Sequence, residues 1–540
     1  MDACRCRGAQ CPPRPAGPCL PASEGPAELT LAPARAVLEI GGHLQPRTLA
    51  AAARAGSAVR LAPAAWDRIA AAHAALDRIA GEGAAIYGVS TGLGAAVDTP
   101  AAPGGEGQQR RVVMARMVGV GPLAAPDQVR AVMMARLAGL AVGRSGASPG
   151  IVAAYAALLN AGVLPAMPLV GSVGEADLAP LAHVAGVLAG AGEAVVDGQV
   201  MPGAAALAHA GIAPPPFGIK DGLALVSSNA ASAGLGALVL ADAERLFGAW
   251  LAAACLTLEG YRASVAPLRP AASALRPAPG QAEAAASLLG TLEGSALLLP
   301  GAARRLQDPL SLRCLAPVLG ACLAALRAAT AAVALELNTS DDNPAVLAEC
   351  GAIQPNANFD STHLLLAFEG LGLALSRAAA AQGARMLQLM SPASSGLPRF
   401  LSPMKDGRNG FATVQKTISA LVAETWQHAM PMPPCALAAA DGVEDYATMV
   451  VSGVRRLGAL LAQLRLLCAV ELMVGAQACD LRDGLRLGPG GAAVHGDVRR
   501  LVPMLRDDRP AAPDILALDA LIGEGCFDDL AAPLFAAGPG

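Results

Sequence analysis

The chain has 540 residues and a formal net charge of −4, and charged residues make up 15% of it against a usual share of about 25%. Both charge signs are scattered and aromatic residues are only 3%, which excludes the basic stripe or aromatic platform of a nucleic-acid-binding protein. Hydrophobic residues make up 54%, so a lone monomer would expose much apolar surface, and we expect broad interfaces between identical subunits.

The first segment, residues 1–28, is rich in proline, glycine and cysteine and predicts a disordered extension. It contains no apolar run typical of a secretory signal, and we expect a cytoplasmic protein. No histidine accompanies the cysteines of this segment, and their spacing fits no zinc pattern: Cys4, Cys6, Cys11 and Cys19. The sequence therefore predicts no metal site.

Beyond the extension, the sequence predicts an N-terminal helical domain over 29–220 and a central long-helix bundle with a C-terminal helical region over 221–540. Apolar residues at helical spacing alternate with short glycine and proline breaks, while strand-like alternation is almost absent. The clearest predicted helices are, in chain order, 126–142, 150–161, 230–261, 315–337, 362–390 and 411–427. Several exceed twenty residues, which indicates an all-α fold.

One apolar stretch, 222–241, is long enough to cross a bilayer. It has no flanking aromatic belt and contains several polar residues, Ser227, Ser228, Asn229 and Ser232. This pattern favours a buried core helix, and we expect no membrane segment.

Short polar segments stand out against the apolar background. Each alone is typical of a helix cap or a loop at the end of a bundle. They are Tyr87-Gly-Val-Ser-Thr-Gly-Leu-Gly94, Gly171-Ser-Val-Gly174 followed by Asp177-Leu-Ala-Pro-Leu-Ala-His183, Gln307-Asp-Pro309 with Ser311-Leu-Arg313, Asp342-Asn-Pro344 and Asn358-Phe-Asp360. In this order and spacing they resemble the histidine and aromatic amino acid ammonia-lyase family, from about residue 29 to residue 449. The resemblance implies a long antiparallel helical bundle of the fumarase and ammonia-lyase type, assembled as a homotetramer with active sites built from three subunits.

The resemblance also implies roles for individual residues. Tyr87 matches the catalytic tyrosine that takes the β-proton, and Arg313 would bind the substrate carboxylate with its planar fork. Glu424 is matched to an active-site glutamate that would hold a ring N–H or a cation. Three residues match positions that orient the substrate: Gln307, Asn343 and Phe359.

The chain departs from the family at the loop that forms the electrophile. Family members make a methylidene-imidazolone from an Ala-Ser-Gly tripeptide, but here Gly174 is followed by Glu175, Ala176 and Asp177. The loop is one residue shorter and no serine remains to dehydrate. Ser227 stands where the family has a supporting asparagine. We therefore expect no cofactor.

Further departures place charged residues at positions that the family fills differently. Arg116 stands where histidine lyases carry a pocket histidine, and Asp360 follows the phenylalanine of the pattern. Lys416 replaces an apolar residue, and the sequence leaves open whether it is catalytic or a solvated helix residue. New charges in a pocket indicate a new ligand, and Glu175 and Asp177 add negative charge suited to a cation.

The chemistry of the electrophile narrows the class of substrate that we predict. It bonds to the lone pair of the substrate amine, whereas a quaternary trimethylammonium group has no lone pair and leaves as neutral trimethylamine. Elimination then needs a base and stabilisation of the developing charge. We therefore predict cofactor-free release of trimethylamine from a histidine-derived betaine, as in the ergothionase branch of the family, which converts ergothioneine to thiourocanate. The alternatives are an ammonia-lyase or aminomutase with an unusual loop, and a catalytically silent tetrameric scaffold.

Overall fold

The computed structural model describes residues 36–101, 106–404, 407–433 and 437–535. The predicted extension 1–28 lies outside these residues. Twenty α-helices are found in the described part of the chain: α1 Pro46–Arg54, α2 Pro63–Gly81, α3 Glu106–Met114, α4 Pro126–Ala141, α5 Pro149–Asn160, α6 Leu178–Leu188, α7 Gly203–His209, α8 Asp221–Val226, α9 Ala230–Tyr261, α10 Pro270–Leu275, α11 Gln281–Thr291, α12 Leu310–Arg313, α13 Leu315–Asn338, α14 Thr362–Leu389, α15 Pro392–Ser395, α16 Val414–Ala429, α17 Val450–Asp480, α18 Pro489–Leu501, α19 Ala512–Gly523 and α20 Asp528–Phe535.

The strands are few and short, as predicted, with two to four residues in each that is described. They are β1 Val37–Ile40, β2 Ala58–Leu61, β3 Val120–Leu123, β4 Leu164–Pro165, β5 Pro168–Val170, β6 Glu193–Val196, β7 Gln199–Pro202, β8 Ala345–Leu347 and β9 Ala352–Gln354. β1 and β2 pair in parallel, whereas β3 with β5, β4 with β6 and β7, and β8 with β9 are antiparallel. The mostly helical fold expected from the sequence is therefore confirmed.

The core is built on α9, which packs along α17 and α4, while α13 and α14 pack beside it. Small residues allow the helix axes to approach closely. A Cβ atom added at Gly260 would lie 2.7 Å from the Cβ of Ala478 in α17, and one at Gly234 would lie 2.7 Å from the backbone of Ala131 in α4. The abundance of alanine and glycine is thus a packing requirement of the bundle.

A buried ion pair joins two of the central helices. Arg385 of α14 donates from Nε and Nη2 to the carboxylate of Glu471 in α17, and Thr257 of α9 donates to the same carboxylate at 2.8 Å. The charges of Arg385 and Glu471 are therefore satisfied by one another and by Thr257 inside the helical core.

The predicted domain boundary falls at the start of α8. α4, from the predicted N-terminal domain, packs on α9, from the predicted bundle, and the chain from Ala36 onward forms one compact unit. The division into two domains stays a prediction.

By length and composition alone, four helical segments of the described chain could cross a membrane: Asp221–Tyr261, Leu315–Asn338, Thr362–Leu389 and Val450–Asp480. The most apolar window of the first is 89% buried within the protein itself. That burial accords with the core helix expected from the sequence, and the absence of a membrane segment stays a prediction.

Candidate active site

Several helix ends converge on one cavity of about 570 Å³. Loops that precede α6, α9, α14 and α17 and the loop that follows α13 supply most of its wall. The described residues that line it are Tyr87, Leu93, Arg116, Gly174, Glu175, Leu178, Leu223, Ser227, Asn343, Ala357, Phe359, Asp360, Val443, Glu444, Asp445, Tyr446 and Ala447. Because the loops at the N-terminal ends of four helices line the cavity, the positive ends of the helix dipoles lie beside it and favour negative charge there.

Tyr87 lies on the glycine-rich loop between α2 and α3. Its phenolic oxygen accepts a hydrogen bond of 3.1 Å from the Gly94 N–H, which fixes the ring without using the phenolic proton. The next residue, Gly88, has a φ of +72°, and a Cβ atom there would lie 2.6 Å from Leu223. The loop therefore requires glycine at this position in order to present Tyr87 to the cavity.

Arg116 lies just after α3 on the same side of the cavity. Burial lowers the pKa of its guanidinium, while the nearby Tyr87 and Glu444 side chains act in the opposite direction. Arg116 is the one cation among the described residues that line the cavity. It lies close enough to both side chains to influence each of them.

The loop with the altered sequence is held from several sides. The carbonyl oxygen of Gly174 accepts hydrogen bonds from Ser361 Oγ at 3.2 Å and Thr448 Oγ1 at 3.1 Å. Glu175 forms a backbone bridge to Asp360, and Ala176 has a φ of +57°, a left-handed conformation rare for a residue with a side chain. This anchoring fixes Glu175 in the cavity wall.

Asp177 turns away from the cavity, which differs from the expectation that it adds charge beside the ligand. Its Oδ2 accepts hydrogen bonds from the Ser232 N–H at 2.7 Å and the Ser232 hydroxyl at 2.8 Å. Burial raises its pKa to about 6, although these hydrogen bonds act in the opposite direction. Ala176 is also buried and does not line the cavity. Asp177 thus anchors the loop to the first turn of α9.

Four carboxylates line the cavity: Glu175, Asp360, Glu444 and Asp445. Burial, together with the negative charges of Glu444 and Asp445, raises the pKa of Glu175 to about 7. Because Arg116 is the one described cation that faces them, the cavity has an excess of negative charge. It is suited to a cationic group.

Four of the six predicted substrate-binding positions line this cavity, together with Tyr87: Arg116, Asn343, Phe359 and Asp360. Gln307, Arg313, Lys416 and Glu424 do not line it. Gln307 is exposed in the loop before α12, Arg313 is half-buried at the end of α12, and Lys416 and Glu424 are exposed on α16. Their roles stay predictions for surfaces that face outward from this chain.

Sequence reasoning missed the segment 443–447, which supplies Glu444, Asp445 and Tyr446 to the cavity. The glutamate that the structure places near Arg116 is Glu444, whereas the sequence analysis selected Glu424. The available signal was an acidic pair between Gly442 and Tyr446, at the end of a predominantly apolar stretch.

Comparisons with known proteins agree with this geometry. The family described as aromatic amino acid lyase matches residues 44–500. A histidine ammonia-lyase from Anaeromyxobacter dehalogenans is 37% identical over 492 residues, covering 88% of this chain and 96% of the relative.

Two solved structures illustrate the structural similarity. Ergothionase from Treponema denticola, an ergothioneine-degrading enzyme solved with desmethyl-ergothioneine sulfonic acid, has a TM-score of 0.87 at 31% identity and covers 91% of this chain and 99% of its own. A phenylalanine aminomutase from Pantoea agglomerans has a TM-score of 0.86 at 28% identity, with coverage of 90% and 98%. The chain therefore belongs to the aromatic amino acid lyase family and is a carbon–nitrogen lyase of the ammonia-lyase type.

Proposed function

We propose that this protein eliminates trimethylamine from a histidine-derived betaine without a prosthetic electrophile, and that ergothioneine is its first candidate substrate. The observation that carries the proposal is the acidic cavity around Glu175, in the loop where the family forms its electrophile. A permanent cation complements this excess of negative charge. The ergothionase structure adds support because it is one of the structures this chain resembles.

The residues around the loop do not fit the methylidene-imidazolone. The serine nearest to the altered positions is Ser172, whose Oγ accepts from the Gly174 N–H at 3.3 Å and lies 3.4 Å from Asp177 Oδ1. It is separated from Glu175 by two residues and has no alanine before it and no glycine after it. We infer that the group is not formed, and no step of the proposed reaction passes through it.

The proposed reaction needs a base at one carbon and a leaving group at the next. Tyr87, as the phenolate, takes the β-proton, and the electron pair of that C–H bond becomes the second bond between the α- and β-carbons. The bond from the α-carbon to nitrogen breaks, and nitrogen leaves with the pair as neutral trimethylamine. The proton on Tyr87 then returns to solvent.

We also propose that the protein acts as a homotetramer. The positions of Gln307, Lys416 and Glu424, which are exposed, and of Arg313, which is half-buried, are consistent with their donation to cavities of neighbouring copies. Large apolar side chains on the outer faces of α13 and α14 support such packing: Leu335, Leu366, Leu373 and Leu387. In the assembly, Arg313 of one copy would then bind the substrate carboxylate beside Tyr87 of another.

The test is trimethylamine release from ergothioneine and from hercynine, followed together with the absorbance of the conjugated acid product. Histidine, assayed for ammonia, is the parallel substrate. Tyr87→Phe removes the base and should lower the rate by at least about a hundredfold. Tyr155→Phe is the matched control, because the Tyr155 hydroxyl is buried in the core without a hydrogen-bond partner and away from the cavity.

The second candidate function is ordinary ammonia release, favoured by the histidine ammonia-lyase relative. Ammonia from histidine, without trimethylamine from either betaine, would establish it and contradict the proposal. Absence of both products would favour the silent scaffold.

A further inference from the structure

Tyr446 is held at the cavity by a short chain of hydrogen bonds. Its hydroxyl lies 2.7 Å from Thr362 Oγ1. Thr362 Oγ1 donates in turn to Asp360 Oδ2 at 3.1 Å, and the Thr362 backbone N–H donates to Asp360 Oδ1, also at 3.1 Å. The loop before α17 is thereby tied to the first turn of α14.

The direction of these hydrogen bonds follows from the chemistry of the groups. An ionised carboxylate only accepts, so the Thr362 hydroxyl uses its proton toward Asp360 and accepts from Tyr446. A phenol that donates into a chain ending at a carboxylate is polarised, because hydrogen bonds in series strengthen one another. The ring of Tyr446 is therefore both oriented and made richer in electrons.

A quaternary ammonium group carries no N–H and cannot donate a hydrogen bond, so it is recognised by diffuse negative charge and by the faces of aromatic rings. The cavity offers both. Glu175, Glu444 and Asp445 supply the charge, and Phe359 and Tyr446 supply rings that line the same cavity.

We propose that Tyr446, together with Phe359, forms the aromatic wall that binds the trimethylammonium group, and that Asp360 and Thr362 are positioning residues that orient the Tyr446 ring. The inference rests on the proposed function, since it takes the leaving group as the cation. It also changes the role of Asp360, which the sequence analysis placed in direct contact with substrate. Both of its carboxylate oxygens accept hydrogen bonds from Thr362.

The test uses two ligands of the same shape that do not react. Glycine betaine carries a trimethylammonium group, and 3,3-dimethylbutanoate carries a neutral tert-butyl group in its place. Calorimetric titration of the full-length protein should show a preference for the betaine. Tyr446→Leu should weaken betaine binding about three- to thirtyfold, the range of a cation–π contact, and leave the neutral ligand unchanged.

Two milder variants test the positioning chain. Tyr446→Phe keeps the ring but loses the hydroxyl, and Thr362→Val removes the acceptor with little change of shape. Each should lose less betaine affinity than Tyr446→Leu, and the double variant should lose no more than either single one, because both break the same chain. Leu437→Ala is the control, since Leu437 is 92% exposed in the same loop and does not line the cavity.

Several outcomes would overturn the inference. These are a wild-type protein that does not prefer the betaine, a Tyr446→Leu variant that weakens both ligands equally or neither, and additive losses in the double variant. Failure of the proposed function has a different signature. If the wild type prefers the betaine but releases no trimethylamine, and Tyr446→Leu has lost this preference, the results support the aromatic wall and contradict the proposed reaction. If trimethylamine is released with a KM that Tyr446→Leu leaves unchanged, the reaction stands and the wall fails.

Discussion

Thr448 Oγ1 donates a hydrogen bond of 3.1 Å to the carbonyl oxygen of Gly174 and lies 2.7 Å from Ser361 Oγ, which contacts the same carbonyl. Hydroxyl groups at the N-terminal ends of two long helices, α17 and α14, thus converge on a single peptide of the altered loop. Glu175 is the next residue, so its backbone is fixed by the most rigid elements of the bundle.

Gly174→Ala should therefore disrupt the site. A Cβ atom at this position would lie 2.2 Å from Thr448 Oγ1 and 3.0 Å from the Met449 nitrogen, and the φ of +89° is unfavourable for alanine. We expect more than about 2 kcal/mol of destabilisation and loss of trimethylamine release, measured by urea unfolding and by product assay.

Gly211→Ala is a control that separates the effect of backbone strain from the effect of steric overlap between the added Cβ atom and its neighbours. Gly211 has a φ of +67°, with no atom within 4 Å of an added Cβ. Gly211→Ala should lower the free energy of unfolding by about 1 kcal/mol and leave trimethylamine release intact. Equal effects of the two variants would show that the contact with Thr448 does not constrain the loop.

The raised pKa of Glu175, about 7, predicts a pH-dependent affinity for cations. The carboxyl is neutral below this pH and must ionise to attract a cation, so glycine betaine binding should weaken up to about tenfold between pH 8 and pH 6. Glu175→Gln should bind more weakly at pH 8 and lose this dependence. Titrations of the wild type and of Glu175→Gln with glycine betaine at several pH values check this prediction.

Glu349→Gln is the matched control, because Glu349 is exposed in the β8–β9 hairpin and does not line the cavity. It should retain the wild-type profile. A Glu175→Gln variant that keeps the wild-type pH dependence would assign the titration to another group.

The helices followed from the sequence because apolar periodicity and glycine or proline breaks are local signals. The predicted 230–261 helix coincides with α9, and predicted 362–390 differs from α14 by one residue. The sequence analysis did not single out α17, which is as apolar as the others and follows a loop rather than a clear break. Motif residues near the cavity, such as Tyr87 and Phe359, were also found.

The remaining features depend on tertiary contacts, which residue types along the chain do not specify. Asp177 and Glu175 are two residues apart, yet one is bound by Ser232 in the core and the other faces the cavity. Glu444 and Tyr446 reach the cavity because their loop is tied to α14 and to the altered loop. Neither arrangement can be deduced from spacing along the chain.

The buried pair Arg385–Glu471 predicts a large and non-additive stability effect. Arg385→Met would leave the Glu471 carboxylate unpaired in the core and should cost about 3–5 kcal/mol in the free energy of unfolding. Arg385→Met combined with Glu471→Leu should cost less than Arg385→Met alone, because no buried charge remains. Urea unfolding at fixed protein concentration measures both.

The exposed pair Arg78–Glu82 provides the comparison, since its side chains are 55% and 63% exposed. Arg78→Met should change stability by less than about 0.5 kcal/mol. The expectation for the core pair would be contradicted if Arg385→Met combined with Glu471→Leu proved less stable than Arg385→Met alone.

Asp177 predicts a stability that depends on pH. Its folded-state pKa of about 6 lies above the ordinary value for aspartate, so the folded state binds the proton more tightly. That contribution is present at low pH and is lost as the pH rises through 6. Between pH 4.5 and pH 7.5, the free energy of unfolding of Asp177→Asn should therefore rise by about 2 kcal/mol relative to that of the wild type, measured by urea unfolding. Parallel pH profiles of the two proteins would contradict this assignment.

Tyr87 and Arg313 offer a direct test of sites shared between copies. Tyr87 lines the cavity, whereas Arg313 lies at the end of α12 and does not. If a neighbouring copy supplies Arg313, then Tyr87→Phe and Arg313→Met homo-oligomers should each be inactive, and oligomers of both chains should regain part of the wild-type trimethylamine release. Recovery is expected because some cavities then combine an intact tyrosine from one chain with an intact arginine from another. The control pairs Tyr87→Phe with Asn343→Ala, whose positions line the same cavity of one chain. That mixture should stay inactive, and recovery in both mixtures, or in neither, would contradict the shared site.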